Sequence, residues 1–359
     1  MTDMTHQALQ TYKNAADAQS VGDFARAECL YLVCVDQFRE LEGENSTNLA
    51  NLHNALAIVR EQSGDMDAAL ESALQAERIM SALGDLADDD DSAFIRLQAW
   101  AKIGAIQRHF ARYTEAESWL KRALALAVSR FGEQSDEAAD ARNNLGILYK
   151  YTAEFDKAET LYQQALTRLM ESFGEQSSSV AALYHNLGGL AHARGDFSAG
   201  EPYGRKAWEI NRALLGEQHP TTLADAAAYA GILDGLGRYA ESEPIYRRVL
   251  SAFEKIYGQE HYEIAVNLNN LAHLRWQLGD PAEAESLFRR AIAVKEKILG
   301  TDHPDTALSV NNLGVMLQSQ GRKEEARQLF QRALHDFRAR LGDEHPKTQM
   351  VQENLAATS

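Results

Sequence analysis

The sequence predicts an all-α fold, a right-handed α-solenoid of tandem helix-turn-helix repeats. Three observations predict it. The chain repeats itself with a 42-residue period, each repeat carries two stretches of apolar residues at helical spacing, and small residues return at fixed places in both stretches. A repeat of this kind holds one pair of helices, which buries its apolar face against the next pair.

The composition of the 359 residues is compatible with such a fold. Hydrophobic residues make up 45% of the chain and charged residues 25%, which is enough apolar surface for a core and too much for a disordered chain. The formal net charge of −16 argues against a general nucleic-acid binder and against docking on an anionic membrane, because both need a basic surface. We therefore expect neither nucleic acid nor a membrane among the partners.

The cysteines and the N-terminal segment indicate a reduced, cytoplasmic protein. Cys29 and Cys34 lie five residues apart on one predicted helix and point to different faces, so we expect structural thiols without a disulfide. The segment that starts at Met1 lacks the basic and apolar regions of a secretory signal. No apolar run reaches the roughly 18 residues that a transmembrane helix needs.

The repeat is clearest in the first-helix segment Asn311-Asn312-Leu313-Gly314. Equivalent segments precede it by whole multiples of the 42-residue period, at 269–272, 185–188 and 143–146, and Ala227 and Ala101 occupy the missing steps. Two more repeats, anchored on Tyr12 and Asn54, begin the chain, which makes eight in total. A five-residue insertion separates the second repeat from the third, beside the acidic run 88–91, for which we expect a solvated loop.

Each repeat is predicted to form two amphipathic helices. In the eighth, His303-Pro304-Asp305 is a turn and helix start, because proline and an acidic residue are favoured in the first turn. Gln320-Gly321-Arg322 separates the two helices, and Gly342 follows the second one as the expected C-cap. The same glycine closes six other repeats, at positions 43, 132, 174, 216, 258 and 300.

Small residues recur at three positions, which predicts close contact between neighbouring helices. In the first helix the position holds Ala15, Ala57, Gly104, Gly146, Gly188, Ala230, Ala272 and Gly314. One second-helix position holds Ala27, Ala69, Ala116, Ala158, Gly200, Ser242, Ala284 and Ala326. The other, seven residues on, holds Cys34, Ala76, Ala123, Ala165, Ala207, Val249, Ala291 and Ala333.

These boundaries predict a single solenoid domain over residues 1–359. The repeats are expected at roughly 6–42, 48–84, 95–132, 137–174, 179–216, 221–258, 263–300 and 305–342. A helix at 346–357 matches the first helix of a ninth repeat and is expected to cover the last apolar face. Pro202 and Pro244 fall inside second helices and predict local kinks, and Gly204 replaces an expected aromatic residue.

The repeats resemble tetratricopeptide repeats, which carry Leu-Gly in the first helix and then alanine, an aromatic residue and alanine in the second. Trp100 occupies the signature tryptophan position of that family. The usual period of the family is shorter, and the 42-residue period is similar to the longer variant of kinesin light chain and nephrocystin-type proteins. The phrase Gly-Xaa-Xaa-His-Pro, at 216–220, 300–304 and 342–346, resembles that subclass. The resemblance covers essentially the whole chain.

No catalytic residue, metal site or cofactor is predicted, and we do not expect an enzyme. The chain has no phosphate-binding loop, no zinc-binding His-Glu-Xaa-Xaa-His helix and no nucleophile turn. One histidine recurs per repeat, at positions 219, 261, 303 and 345, too far apart for shared metal ligation at about 2 Å, so we interpret them as turn residues. His185 and His192 would need a third metal ligand.

The working surface is expected on the first helices, which line the concave side of a stacked solenoid. One position there recurs as asparagine, at Asn144, Asn186, Asn270, Asn312 and Asn354. Asparagine is a mediocre helix former, so its recurrence needs a cause. One hypothesis is a ladder of amides that holds a peptide backbone, a use that the resemblance implies. The other is hydrogen bonding between successive first helices.

Other first-helix residues complete the predicted partner-binding set. Lys102, Arg108, His109 and Lys150 form a basic patch that would attract an acidic group or a C-terminal carboxylate, unless it is only a solvated face. Trp276 is the best single anchor, or else packs on the next repeat. Gly188, Gly189 and Gly231 leave room for a partner side chain, or only for close helix packing. The remaining positions are His192, His273, Asp140, Tyr151, Asp234 and Gln318.

The sequence thus predicts a protein-interaction adaptor or scaffold that binds a peptide or a partner protein in its concave groove. The first alternative is a regulatory receptor whose superhelix closes on a small ligand or signal peptide. The second is a homo-oligomeric structural scaffold, assembled through the atypical first repeats or the final helix.

Overall fold

The computed structural model of the protein describes residues 3–20, 22–84 and 88–358. The first two residues of the N-terminal segment and part of the five-residue insertion lie outside these ranges. The described residues form seventeen α-helices and no strand, as the all-α prediction requires. The helices are α1 Asp3–Ser20, α2 Phe24–Glu42, α3 Thr47–Ser63, α4 Met66–Leu83, α5 Asp90–His109, α6 Tyr113–Phe131, α7 Asp136–Tyr151, α8 Phe155–Phe173, α9 Ser178–Arg194, α10 Phe197–Leu215, α11 Pro220–Gly235, α12 Tyr239–Tyr257, α13 Tyr262–Gln277, α14 Pro281–Leu299, α15 Pro304–Ser319, α16 Lys323–Leu341 and α17 Pro346–Ala356.

The 42-residue period is present in the helix starts themselves. From α7 onward the first helices begin at residues 136, 178, 220, 262, 304 and 346, and from α6 onward the second helices begin at 113, 155, 197, 239, 281 and 323. The sequence therefore determined the register of the repeats correctly over most of the chain. None of the helices in the described ranges has an apolar stretch of the length that a membrane crossing requires.

The chain divides into two compact units. The N-terminal unit extends to Leu148 and contains α1–α6 and most of α7. Its helices pack in sequential order, and the first helices α3 and α5 also contact each other. One apolar cluster of this unit joins residues from α1 to α5, among them Tyr31, Phe38, Leu56 and Met80.

The C-terminal unit begins at Tyr149 and contains the end of α7 and helices α8–α17. Here too successive helices pack in order, and the first helices α9, α11, α13 and α15 contact one another in turn. One apolar cluster near the C-terminus includes Phe288, Phe330 and Phe337 of the second helices together with Val351 of α17. Helix α17 lies over the segment 346–357 for which a capping helix is expected, and its Val351 contributes to this cluster.

The predicted capping residues have the expected geometry. Each of the seven glycines after the second helices has a positive φ, as at Gly132 (101°) and Gly342 (82°), and donates its N–H to the carbonyl four residues earlier. The periodic histidines are N-caps: the Nδ1 of His303, for example, accepts the backbone N–H of Asp305 at 3.1 Å. Their recurrence at helix starts therefore agrees with their interpretation as turn residues.

Small residues allow close helix contact where the repeat predicts it. A Cβ on Gly314 would lie 2.7 Å from the ring of Phe330, and a Cβ on Gly104 would lie 2.6 Å from Leu120. Gly204, which stands in place of an aromatic residue, is compensated from the next first helix, because the Cδ1 of Ile232 lies 2.8 Å from where its Cβ would be. Helices α10 and α12 continue through Pro202 and Pro244.

Two expectations are wrong in detail. The acidic run 88–91 is not simply a solvated loop: Asp89 is the N-cap of α5, Asp90 and Asp91 form its first turn, and Arg130 pairs with Asp88 and Asp90. The third repeat therefore starts five residues before its predicted boundary. The two cysteines differ in exposure, as expected for different faces of one helix: Cys34 is buried and Cys29 is exposed.

Candidate functional site

In the C-terminal unit the recurrent asparagines link successive first helices. The amide of Asn354 donates to Oδ1 of Asn311 at 2.9 Å, and Asn312 makes the equivalent contact with Asn269 at 3.4 Å. Asn186 is buried. The interhelical hypothesis therefore accounts for the two C-terminal members of this series, Asn312 and Asn354.

A second column of first-helix side chains runs beside these asparagines, again at 42-residue spacing. It contains Lys150, His192, Asp234 and Trp276. Loss of hydration around the ring, and then the charges of Lys150 and His273, lower the pKa of His192. Partial burial raises the pKa of Asp234 to about 6, although Ser242 donates a hydrogen bond to it. We call this column the polar strip; within it the charge of Lys150 acts on His192.

Trp276 is half-buried and packs against the apolar cluster of α14–α16. His273 meets it edge-on, with 5.9 Å between ring centroids. The packing alternative thus describes much of this side chain, and only part of the indole is available to a partner. Asn270 lies half-buried three residues before His273 on the same helix.

The glycines of this strip differ from the packing glycines. A Cβ on Gly231 would approach the Tyr246 hydroxyl to 3.4 Å and His192 to 3.6 Å, and one on Gly189 would approach Lys150 Nζ to 3.4 Å. These are ordinary van der Waals distances. Close packing does not demand glycine at Gly189 or Gly231. It does at Gly188, because a Cβ there would lie 3.1 Å from the backbone nitrogen of Gly204, so the packing alternative holds for that residue.

In the N-terminal unit, first helices α3, α5 and α7 enclose two adjoining cavities. One, of about 220 Å³, is lined by Asn54, Ile58, Gln98, Ala101, Lys102, Ala105 and Asn144. The other, of about 190 Å³, is lined by Phe94, Leu97, Gln98, Ala101, Glu137, Asp140, Ala141 and Asn144. They share Gln98, Ala101 and Asn144. We call this face the amide surface, after the side chains of Asn54, Gln98 and Asn144.

The amide surface has an acidic end. Loss of hydration within the groove, and then the nearby carboxyls of Asp136 and Glu137, raise the pKa of Asp140 to about 6. Asp140 nevertheless stays accessible to water. The charges that act on this carboxyl are therefore themselves negative.

In the structure, one cation of the predicted basic patch is neutralised by an acidic side chain. The ammonium of Lys102 pairs with Glu61, a residue of the preceding first helix. Its charge is thus balanced within the N-terminal unit. Arg108 and His109 lie half-buried in the last turn of α5, and Lys150 belongs to the C-terminal unit. Of the residues predicted for partner binding, Lys102, Asp140 and Asn144 line the two cavities.

Three residues of the amide surface were missed by the sequence analysis. Ile58 and Phe94 are 38% and 43% exposed, so both apolar side chains are available at the surface. Gln98 stands one 42-residue period before Asp140, so the repeat register could have identified it as a first-helix surface position.

The histidines do not assemble into a metal centre in the described part of the chain, where no group of three or more metal-binding side chains occurs. His185 instead contacts the buried carboxylate of Asp225 at 2.8 Å, and Asn211 donates to the other oxygen of that carboxylate at 2.7 Å. His185 and Asn211 therefore both bond to Asp225 within the C-terminal unit.

The profile of the tetratricopeptide repeat matches four overlapping or adjoining segments of the chain, residues 96–171, 179–255, 223–297 and 263–339. Together they cover well over half of it. The chain belongs to the tetratricopeptide repeat family. The family expected from the sequence is confirmed, and the 42-residue period of its helix pairs is that of the kinesin light chain-like subclass.

Solved structures with the same fold have low sequence identity to this tetratricopeptide repeat chain. A Rap protein complexed with Competence and Sporulation Factor is 12% identical, with a TM-score of 0.63, covering 99% of this chain and 100% of that one. The Rap conjugation gene regulator of plasmid pLS20, in complex with the Phr* peptide, is 13% identical, with a TM-score of 0.65 and coverage of 82% and 75%. A Podosopora anserina putative kinesin light chain is 21% identical, with a TM-score of 0.43 and coverage of 56% and 94%. No curated protein matches the sequence significantly.

Proposed function

We propose that this tetratricopeptide repeat protein is an interaction adaptor that binds an extended segment of a partner protein on its first helices. The observation that carries the proposal is the amide surface. Three side-chain amides and two exposed apolar side chains, Ile58 and Phe94, meet at two adjoining cavities. Side-chain amides hold a peptide backbone, and neighbouring cavities receive its side chains.

The size of the cavities favours a peptide over a small-molecule ligand. At about 220 and 190 Å³ each is smaller than the roughly 300–1,000 Å³ of a typical ligand pocket. Single side chains of an extended segment suit such spaces better than a whole small molecule. The complex of the pLS20 regulator with the Phr* peptide supports a peptide as the class of ligand for this fold.

The regulatory-receptor alternative is compatible with the same surface, since a signal peptide is also an extended segment. Nothing on the amide surface favours it over an adaptor. Nothing on the amide surface favours the homo-oligomeric scaffold either, and we rank that proposal below the adaptor.

We further propose that the polar strip of the C-terminal unit is a second contact region. Gly189 and Gly231 support this, because packing alone does not require them. The residues proposed for it are Lys150, Asn186, His192, Asn270, His273, Trp276 and Asn312. Arg108 belongs to the N-terminal unit, and we propose it separately, as a contact residue of that unit. Asn312 already donates a hydrogen bond to Asn269 of the preceding first helix, so it would contact a partner in addition to that bond.

The rest of the proposal concerns chemistry and location. Tetratricopeptide repeat proteins are typically binding scaffolds, and we propose that this chain has no catalytic activity and needs no cofactor. A net charge of −16 supports protein rather than nucleic acid or a membrane as partner. We propose a cytoplasmic location from the cysteine usage.

The test is affinity capture from a lysate of the source cells with three baits of equal helicity. They are the wild-type chain, the double variant Gln98→Ala/Asn144→Ala, and the control Gln164→Ala on the exposed surface of second helix α8. We expect a partner that wild type and control retain and the double variant loses. A partner retained equally by all three baits would contradict binding at the amide surface.

A further inference from the structure

The amide surface contains a polar atom without a protein partner. Asn54 is 5% exposed and donates its amide N–H to the carbonyl of Ile95 at 2.9 Å, which orients the side chain. Its Oδ1 is buried and accepts no hydrogen bond, and the residue lines the larger cavity. An unsatisfied buried acceptor costs roughly 1–3 kcal/mol. Asn54 is therefore held in one orientation in the wall of the cavity, and its buried oxygen is not open to the cavity.

The apolar side chains flank the shared residues on both sides. Ile58 belongs to the cavity that contains Asn54, and Phe94 to the cavity that contains Asp140. Neither is covered by the core of the N-terminal unit, since both are more than one-third exposed. Each cavity therefore offers one large apolar contact beside an amide, which suits a segment with apolar side chains.

At the α7 end of the amide surface, the charged side chains that line the second cavity are all negative. Lys102, the cation of the first cavity, is already paired with Glu61. Glu137 and Asp140 line the second cavity, and the charges acting on Asp140 come from Asp136 and Glu137. A helix start favours acidic residues in its first turn, which accounts for Asp136 and Glu137. Asp140 lies beyond that turn, in a place where its negative charge is disfavoured.

We propose that the amide surface selects an extended segment in which an apolar side chain is followed or preceded by lysine or arginine. The apolar group contacts Ile58 or Phe94, and the cation pairs with Asp140 and Glu137. This specificity rests on the proposed function, and it reverses the acidic ligand expected for the basic patch. A cation supplied by the ligand would relieve the mutual repulsion of the carboxyls.

The test is selection of random peptides from a display library on the full chain, followed by affinity measurement with synthetic peptides. We expect enriched peptides to combine apolar and basic residues. Asp140→Lys should weaken the selected peptide by at least about fivefold, the effect of losing roughly 1 kcal/mol of ion pairing. Replacing the basic residue of the peptide with glutamate should restore binding to that variant and weaken binding to wild type.

The control is Glu71→Lys, the same charge reversal at an exposed position of second helix α4. It should leave the affinity unchanged, and helicity of both variants is checked by circular dichroism. Enriched peptides without basic residues, or an equal loss in both variants, would overturn the proposed specificity and leave the proposed function standing. Failure to enrich any peptide would contradict both.

Discussion

At the scale of single residues, the C-terminal unit contains a buried lysine and an acidic residue beside it, and both are hydrogen-bonded to their neighbours. The Lys295 side chain is buried and donates to the Asp305 carbonyl at 3.1 Å and to the Ser309 hydroxyl at 3.0 Å. Burial alone would raise the pKa of Asp305, but the charges of Lys295 and Lys347 lower it to about 2. The Tyr262 hydroxyl donates to the Asp305 carboxylate at 2.8 Å and adds to the lowering.

The first prediction concerns that hydroxyl. Tyr262→Phe removes a hydrogen bond to a charged group and should cost roughly 1.5–3 kcal/mol of unfolding free energy near pH 7. Because the folded pKa of Asp305, about 2, lies below the unfolded value near 3.9, the contribution is complete above about pH 4. It should decline as the pH falls toward 2. Urea titrations at several pH values measure it.

Tyr203→Phe is the matched control, because Tyr203 stacks on Tyr184 through its ring. It should change stability by a few tenths of a kcal/mol at most, at every pH. A deficit of Tyr262→Phe that stayed constant down to pH 2.5 would show that the hydroxyl does not act through the Asp305 carboxylate.

At the scale of helices, neighbouring repeats are joined by a column of glutamates on the second helices. Glu159, Glu201, Glu243 and Glu285 recur at the 42-residue period, and each pairs with an arginine of the following repeat, in order Arg194, Arg238, Arg275 and Arg322. Such partly exposed pairs contribute about 0–1 kcal/mol each. Their regular spacing favours a role in the register of neighbouring helices, while the small residues provide the close contact.

The second prediction separates two classes of first-helix glycine. Gly314→Ala should lower stability by about 1–3 kcal/mol, because its Cβ would clash with the Phe330 ring at 2.7 Å. Gly231→Ala should leave stability unchanged or raise it by up to about 1 kcal/mol, because alanine is the better helix former and its nearest contact is 3.4 Å away. Urea midpoints of both variants give the comparison. Equal destabilisation would make Gly231 a packing residue and remove the support it gives to the polar strip.

At the scale of the molecule, the C-terminal unit contains a contact between the two helices that lie farthest apart in its sequence. His345, the N-cap of α17, donates from Nε2 to the carbonyl of Tyr151 at 3.3 Å, 194 residues earlier in the chain. Its Nδ1 accepts from the backbone N–H of Lys347 at 3.1 Å. One neutral imidazole thus serves both contacts, and burial, followed by the Lys347 charge, lowers the pKa of His345 despite the bond to Tyr151.

The third prediction distinguishes these two roles by hydrogen exchange. His345→Ala should increase exchange both in α17 and in the segment around Tyr151, since it removes the cap and the distant contact. His345→Asn keeps a good N-cap but has a shorter side chain, so only the Tyr151 segment should exchange faster. Unchanged exchange around Tyr151 in both variants would show that the distant contact contributes nothing to local stability.

The sequence predicted the helix pairs well because their signals are local. Helix starts from α6 onward follow the 42-residue register, and the C-cap glycines and N-cap histidines act within a turn of their own position. The third repeat was wrong by five residues because α5 begins with aspartates, which carry no apolar signal. The candidate site was predicted less completely: the sequence analysis named Lys102, Asp140 and Asn144 but missed Ile58, Phe94 and Gln98.

What the sequence determined by itself is therefore the repeat, the helices and the family, since hydrophobic spacing and capping depend on neighbours along the chain. Only the tertiary structure decided how the first-helix side chains are used. Glu61 neutralises Lys102 from the preceding repeat, Asn311 accepts from Asn354, and Asn54 retains an unpaired oxygen beside a cavity. These outcomes depend on distances between separate helices. A periodic sequence places equivalent residues in equivalent positions, but their partners differ from one repeat to the next.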